Sequence, residues 1–578
     1  MTIVLQSLNF PDDPSLLPLY VRPGGDGFAA AGGLRLPPRG KACLDSFRNA
    51  CVVGRNGWPV AVGDVLCELD VRGDATVRLL ARDARGRERV LADGRTRAGA
   101  TACRVTLTVA AKDAADGRLF PTIEAGAAGA TLLAGRYLCR TAPASVRLAV
   151  VICTFRREKK LLENLEALAQ ARDLQEAGTV VIVADNGGTL LPDALPPGCL
   201  LVPGPNLGGA GGFSRGMAAA MERGATHMVL LDDDVDLDPE SVSRCLALFR
   251  IAPDGVAVAG VLLDPQRPGR ALEAGGWLAG TTSPLVVRIG GSGLALNAPE
   301  GLDGLWGLPE PAYGGFWLFA FPARAAWETG LLLPFFFKAD DVEFGLRLGR
   351  CGIALSLLSG VGVSHPPFDA ALNLSKRAHW VRNMLAVEAL YGTRTAGGVT
   401  RALWREAVAE LRRLRYPHLA ALVVGVEGFL RGPRACDEGV DAAFARALAR
   451  LGARLDPPPG LRVPVLAPPA AARSPWPTLF GHLLPGAFLP RAARPESLAQ
   501  PDAAWQAARY AAVDNGHGVI VYPLRRLTGL WLCLRAAWAM FRLSVLFRGL
   551  RRAWAAAAGP LASPSAWRRR MLRQAPPG

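Results

Sequence analysis

The run His227-Met228-Val229-Leu230-Leu231 passes without a break into Asp232-Asp233-Asp234. A short, nearly unbroken apolar run suits a strand buried on both faces of a parallel sheet. Such a strand delivers its last residues to the carboxyl edge of the sheet, where ligands bind in open α/β folds. Three adjacent carboxylates repel one another, and a divalent cation relieves that repulsion. A solvated acidic turn, capping a helix expected from Pro239-Glu240, is the plainer reading of the same residues. An EF-hand is excluded by spacing: counted from Asp232 or Asp234, neither its central glycine nor its final glutamate is present.

The surroundings repeat the pattern. Residues 148–153 read as an apolar strand, 158–171 as a helix, 179–184 as a second strand and 213–223 as a helix, with another helix from Pro239. That alternation predicts a three-layer α/β unit with a mostly parallel sheet over residues 147–395. Residues 1–146 carry short alternating runs, among them 64–69, 76–80 and 104–109, punctuated by Gly and Asp. These predict an N-terminal β-sandwich or jelly roll. From about Leu374 the chain turns helical and alanine-rich, giving a C-terminal helical region over 396–578. Eight prolines fall within 456–477, which marks a linker or an extended wrap.

A chain of 578 residues exceeds one core, in keeping with three such units. Eleven scattered cysteines without a CxxC pair suit free thiols in a reducing cytoplasm. The start, Met1-Thr2-Ile3-Val4, does not read as a secretory signal. Of the formal charge of +16, ten units sit within residues 501–578, where twelve arginines meet only Asp502 and Asp514. A basic end of this kind points to an anionic surface or partner. Nucleic acid is not expected, because no helix-turn-helix, zinc-finger or RNP-like pattern accompanies the arginines. Within residues 527–550, Arg535 and Arg542 interrupt the closest approach to a spanning segment, so no transmembrane helix is expected. They fall about 20° apart on a helix, leaving Leu530, Trp531, Leu534, Trp538 and Phe541 on an apolar face. Such a helix suits a membrane interface or the surface of its own domain.

Four features converge on the α/β unit. Val150-Val151-Ile152-Cys153 ends in Thr154-Phe155-Arg156-Arg157, a hydroxyl and two guanidiniums fit for a base or a diphosphate. The next strand ends in Asp185-Asn186-Gly187-Gly188, an acid before a tight turn. Residues 205–215 form a glycine-rich stretch, read as a loop permitting close backbone approach and feeding a helix N-terminus that favours negative charge. It is neither a Walker nor a Rossmann fingerprint. The Asp232-Asp233-Asp234 cluster would supply cation ligands for a diphosphate. Downstream lie the acidic group Asp340-Asp341 with Glu343, and an isolated His365.

The order of these motifs resembles the galactofuranosyltransferases of glycosyltransferase family 2. The resemblance covers about residues 147–391 through Cys153-Thr154-Phe155, the 205–215 stretch, Asp232-Asp233-Asp234, residues 313–317, Asp340-Asp341 with Glu343, His365 and Arg382-Asn383. It touches the N-terminal unit weakly, through Ser46-Phe47-Arg48-Asn49-Ala50.

The resemblance implies a GT-A fold and an inverting transfer from a UDP-sugar. Thr154, Phe155, Arg157, Asp185, Asn206, Gly208, Gly209, Asp232 and Asp233 would then bind the nucleotide-sugar. Asp232, Asp234 and His365 would hold Mn²⁺ or Mg²⁺, and one-apart residues on an extended chain do face the same way. Asp341 would be the general base, with Trp317 and Asp340 against the acceptor. Where the family has two tryptophans this chain has Phe316-Trp317, which bears on which sugar fits. The expected reaction is galactofuranose transfer to a lipid-linked or cell-surface glycan. It would be carried out by a homo-oligomer, cytoplasmic and peripheral on the inner face of the membrane. The alternatives are another nucleotide sugar on the same fold, a rhamnosyl or hexopyranosyl donor, or a non-catalytic glycan-binding scaffold. Removal of the chain from about Leu524 is expected to leave cation-dependent UDP binding intact.

Overall fold

The computed structural model describes residues 2–30, 33–54, 57–58, 63–97, 99, 101–114, 117–279, 286–288, 293–365, 374–437, 440–455, 504–507, 510–514 and 519–574. The proline-rich stretch 456–477 lies outside the described residues.

In the N-terminal unit, two of the expected short strands are one long strand, Val65–Asp83. It pairs antiparallel with Gly117–Arg140, from Val65↔Cys139 to Asp83↔Gly117, with register shifts at Asp70/Val71 and Gly73/Ala75. Cys103–Val109 pairs with the first half of Val65–Asp83, and Glu88–Thr96 with the second. Were the long strand straight, Leu69 and Val77 would be about 26 Å apart. Their partners Val105 and Gly94 nevertheless meet: a methyl group on Gly94 would lie 2.7 Å from Val105 Cγ1. The strand therefore bends sharply at its register shifts, and the sheet closes face to face around Leu69, Val77, Leu107, Ile123 and Tyr137. The expected sandwich exists as a nine-stranded sheet doubled over, with no separate second sheet among the described residues. Gly73, at φ 99°, supplies a backbone conformation at the bend that side chains resist.

The Ser46–Ala50 motif joins this unit to the next. Buried Arg48 donates to Ser241 Oγ at 2.8 Å, to the Gly360 carbonyl at 2.8 Å and to the Gly362 carbonyl at 3.2 Å. Phe47 stacks on Trp306. The joint thus grips the segment that leads into His365.

The α/β unit holds a seven-stranded sheet. Its order is Cys199–Pro203, Val180–Asp185, Leu148–Thr154, His227–Asp232, Leu318–Pro322, Val256–Ala259, Ala354–Ser356. The first four strands are parallel. Leu318–Pro322 runs antiparallel to both its neighbours, so the aspartate-bearing strand has one parallel and one antiparallel partner. Helices Glu158–Gln170, Gly208–Glu222 and Glu240–Ile251 connect the parallel strands and cover them. A smaller sheet sets His365 beside the acidic cluster: Gly362–Ser364 pairs with Asp236–Leu237 in the register Asp236↔Ser364.

The C-terminal region packs helices Leu374–Tyr391, Ala396–Arg412, Tyr416–Leu430 and Arg526–Ala562 around Met384, Leu403, Val423, Phe429, Leu543, Phe547 and Trp554. It also contains a three-stranded antiparallel sheet, Ala504–Ala507, Tyr510–Asp514 and Val519–Pro523, which was not expected. The Arg526–Ala562 helix runs 37 residues and is, among the described residues, long and apolar enough by length and composition to cross a membrane. One face is nevertheless packed: Leu532, Ala536, Ala539, Met540 and Leu543 are buried. The opposite face leaves Trp531, Leu534, Trp538, Phe541 and Val545 between 45 and 64 % exposed, as the spacing predicts. The following helix, Pro564–Gln574, returns to the α/β unit, where Trp567 is buried and donates to the Leu332 carbonyl at 2.9 Å.

Candidate active site

Strand ends build the site. Leu148–Thr154 and His227–Asp232 lie side by side and parallel, in the register Cys153↔Asp232, so both deliver polar residues to one edge. There Thr154 Oγ1 donates to Asp233 Oδ2 at 2.7 Å, and the Phe155 amide donates to the same oxygen at 3.4 Å. Arg157 bonds Asp233 at 3.2 Å and reaches Asp234 as well. Asp233 thereby binds the Thr154–Arg157 turn to the acidic cluster. Phe155 is 46 % exposed with the Arg156 guanidinium 5.3 Å from its ring centroid, an open aromatic face beside the cluster.

Asp234 and His365 meet, with Oδ2 and Nε2 at 3.2 Å. Two neighbouring donors on one octahedral cation at about 2.1 Å stand about 3 Å apart, so this pair fits cation binding. Burial and the charges of Asp234 and Asp233 push Asp232 up to about 7, against the opposing pull of His365 and Lys338. Burial pushes Asp234 up too, but His365 and Arg157 outweigh it and hold Asp234 below the usual carboxylate range. Among the described residues no three His, Cys, Asp or Glu side chains converge as a complete ligand group. The chain itself brings together two of the three expected ligands, with Arg157 on the same carboxylate.

Asp185 ends its strand as expected, yet its carboxylate is engaged by its own loop. Oδ1 accepts from the Gly187 and Gly188 amides at 2.7 and 3.0 Å, and Oδ2 from those of Thr189 and Leu190 at 3.0 and 3.1 Å. Asn206 likewise bonds locally, its Oδ1 accepting from the Gly208 amide at the start of the next helix at 2.9 Å.

The stretch expected as a glycine-rich loop is largely helix, beginning at Gly208. Two glycines of this helix serve packing. A methyl group on Gly212 would lie 2.2 Å from Cys153 Sγ, and one on Gly216 would lie 2.2 Å from Val151 Cγ1. Removing those side chains lets the helix press onto the central strand. Gly208 adopts φ 72°, and a side chain there would strike the Phe336 carbonyl. The helix N-terminus faces Asp340, whose Oδ2 is 3.9 Å from where a Gly209 Cβ would stand.

Asp340 and Asp341 open the helix Asp340–Arg350, where its dipole favours negative charge. Burial, Asp341 and Asp232 push Asp340 up to about 8, while Lys338 opposes the shift. Asp341 is half-buried and accepts from the Val342 amide at 2.8 Å. Glu343 is fully committed elsewhere: Arg347 bonds one oxygen at 2.8 Å and Tyr391 the other at 2.6 Å.

Trp317, expected against the acceptor, is enclosed in this structure. It is only 5 % exposed, and its indole donates to the Gly260 carbonyl at 2.7 Å. A ring so enclosed offers no open face to a sugar; it packs against Gly315. Phe316 sits in a cluster with Phe213, Phe319 and Phe344.

Two residues take roles that the sequence reading did not assign: Lys338, and Asn383, which entered there only as part of the resemblance. Lys338 carries a positive charge that acts on both Asp232 and Asp340, and its position two residues before the acidic pair was a usable signal. Asn383 gathers the carbonyls of Phe335, Phe337 and Lys338 at 3.1, 3.1 and 2.7 Å. Nothing local in the sequence announces that convergence.

Residues 149–276 match the family described as glycosyl transferase family 2. The galactofuranosyltransferase GlfT2 of Mycolicibacterium smegmatis is 29 % identical over 321 residues, covering 52 % of this chain and 50 % of the relative. The galactofuranosyltransferase GlfT2 of Mycobacterium tuberculosis is 28 % identical over 322 residues, with the same coverage. The match spans about half the length of each relative. The mannosyltransferase PcManGT from Pyrobaculum calidifontis, solved in complex with GDP-Man and Mn2+, is 16 % identical. It covers 54 % of this chain and 83 % of its own, with a TM-score of 0.30. Over residues 149–276 the chain is thus similar to glycosyl transferase family 2, and over about half its length to two galactofuranosyltransferases.

Proposed function

We propose that the chain is an inverting, divalent-cation-dependent glycosyltransferase that moves galactofuranose from UDP-galactofuranose to a lipid-linked or cell-surface glycan. The observation that carries this is the meeting, at one sheet edge, of a cation-suited pair with a turn suited to a nucleotide. The pair is Asp234 and His365; the turn is Thr154–Arg157. The sugar is inferred from the two galactofuranosyltransferases that the chain resembles.

In this reading Phe155 offers its open ring to the uracil, and Arg157 meets the diphosphate. Asp185 and Asn206 act through the turns they hold, presenting backbone amides beside the nucleotide. Asp341 removes the proton from the acceptor hydroxyl as that oxygen attacks the anomeric carbon opposite the leaving diphosphate. Asp340, raised to about 8, is held mostly protonated near neutral pH and donates a hydrogen bond toward the acceptor. Mn²⁺ or Mg²⁺, held by Asp234, His365 and Asp232, would stabilise negative charge on the diphosphate.

The exposed aromatic seam of the Arg526–Ala562 helix, flanked by exposed Arg548 and Arg552, supports docking at an anionic membrane surface. The protein would then be cytoplasmic and peripheral on the inner face, where a lipid-linked acceptor is met. Self-association as a homo-oligomer belongs to the same proposal. The test is a donor panel of UDP-galactofuranose, UDP-galactose and dTDP-rhamnose with extracted lipid-linked glycans and Mn²⁺. Consumption of UDP-galactofuranose alone is expected. Preference for another donor reassigns the sugar, and no consumption of any donor removes the enzymatic reading.

A further inference from the structure

We propose that one face of the Leu374–Tyr391 helix is a positioning device for Asp341, with Asn383 as its principal residue; this rests on the transferase reading above. The turn just before the acidic pair contains three non-glycine residues in the left-handed region: Phe336 at φ 68°, Lys338 at 71° and Ala339 at 64°. Each crowds its own Cβ against backbone, so the turn left alone would relax to another shape. It persists because its carbonyls are held.

Asn383 Nδ2 donates to the carbonyls of Phe335, Phe337 and Lys338 at 3.1, 3.1 and 2.7 Å. One amide nitrogen carries two hydrogens, so the three carbonyls share them and are drawn toward a single point. Arg382 donates to Asn383 Oδ1 at 2.7 Å and to the Phe335 carbonyl at 3.0 Å. The first of these bonds fixes which end of the amide faces the turn. One helical turn earlier, the His379 ring lies 4.7 Å from that of Phe337 and 5.7 Å from that of Phe336. Residues 379, 382 and 383 share one helix face. From the opposite side, the Ala210 amide donates to the Phe336 carbonyl at 3.1 Å.

The turn is thus gripped between the helix that follows His365 and the helix that begins at Gly208. The chain leaves the grip directly into Asp340 and Asp341, so the direction of those carboxylates depends on atoms that lie behind the turn. Asn383 is a positioning residue in this scheme.

The experiment compares wild type, Asn383→Ala, Asn383→Asp and Asn383→Ala/Ala339→Gly. Donor KM, kcat, Mn²⁺-dependent UDP affinity and amide hydrogen exchange over residues 336–341 are measured for each. Misplacing a reacting group by about 1 Å costs on the order of a hundredfold. Accordingly kcat is expected to fall about ten- to a hundredfold in both single variants, with donor KM and UDP affinity within about twofold. Exchange in the turn should quicken without any donor present. Glycine removes the left-handed penalty, so Ala339→Gly in the Asn383→Ala background should regain about fivefold in kcat. That rescue distinguishes holding a strained turn from general support of the fold. Unchanged kcat, equal loss of UDP affinity, or absence of rescue overturns the proposal. If Asn383→Ala does not fold, Arg382→Lys serves in its place, losing the bond to Asn383 Oδ1 while keeping the charge. A wild type that transfers no sugar defeats the transferase reading, whereas the exchange measurement still decides the clamp.

Discussion

His365 Nε2 lies 3.2 Å from Asp234 Oδ2, although the two residues come from different segments brought together by the Asp236↔Ser364 pairing. Cation dependence should therefore fail from either side of the contact. Asp234→Ala and His365→Ala are each expected to weaken UDP binding by at least tenfold in Mn²⁺, with little change in the presence of chelator. Calorimetric titration with and without EDTA checks this. UDP affinity indifferent to chelator in all three proteins would show the pair to be structural.

Asp341→Asn is expected to leave donor affinity intact while turnover falls by about two to four orders of magnitude, the usual range for losing a general base. Glu343 cannot substitute, since Arg347 and Tyr391 occupy both its oxygens. Near-normal turnover in Asp341→Asn would move the base to Asp340.

Acid should destabilise the fold through two buried histidines. Burial and neighbouring Arg382 hold His379 down to about 3, and burial with Arg415 holds His418 to about 2. Both folded values lie below the ordinary 6.5, so the neutral forms are favoured on folding. Their contribution is full above pH 6.5 and is lost as pH falls toward the folded values. Each histidine gives a slope of about 1.4 kcal/mol per pH unit in that window. Denaturant midpoints at pH 7, 6 and 5 should fall more steeply in wild type than in a His379→Gln/His418→Gln double variant. Parallel curves for the two proteins would refute the assignment.

The chain's basic end is a packed part of the fold, so removal from about Leu524 is now expected to destabilise the protein as well as to test whether UDP binding is spared. Trp554 lies in the helical core, Trp567 closes over the Gly208–Glu222 helix, and the Leu331 amide bonds the Ala562 carbonyl at 2.8 Å. Trp554→Ala and Trp567→Ala should each destabilise by about 3–5 kcal/mol, read as a lower melting temperature. A truncated protein with unaltered melting and UDP affinity would bear out the original expectation.

Trp538 and Phe541 belong to the open side of the same region, 60 and 58 % exposed. Trp538→Ser/Phe541→Ser should change stability by only about 0.5 kcal/mol per substitution. Sedimentation with anionic vesicles should drop, and added salt should release the wild type. Binding that ignores vesicle charge and both substitutions would leave this seam to a protein partner.

The parallel half of the site was legible because each strand there is an unbroken apolar run ending in a change of chemistry, as at Thr154, Asp185 and Asp232. Leu318–Pro322 was not, since a strand buried on both faces looks the same in either direction. Left-handed Phe336, Lys338 and Ala339 break the local rule that such positions carry glycine, and they are held by a distant amide that no local pattern reveals. The packing role of Gly212 and Gly216 was hidden for the opposite reason: glycine suggests ligand approach, and Cys153 and Val151 lie behind the helix where no local pattern shows them. The burial of Trp317 was not legible, because a tryptophan's chemistry does not declare which side of the chain it occupies.

The doubled sheet of the N-terminal unit has a consequence for how that unit comes apart. Val65–Asp83 and Gly117–Arg140 run through both of its layers, so neither layer can lose its hydrogen bonds without loosening the other. Unfolding there should be all-or-none, and slow to reverse, because Val65 must find Cys139 far along the chain before either layer gains its partner. Arg48 is seated in this unit and grips the Gly360 and Gly362 carbonyls. The segment leading to His365 therefore inherits its rigidity from a fold that opens as a whole or not at all.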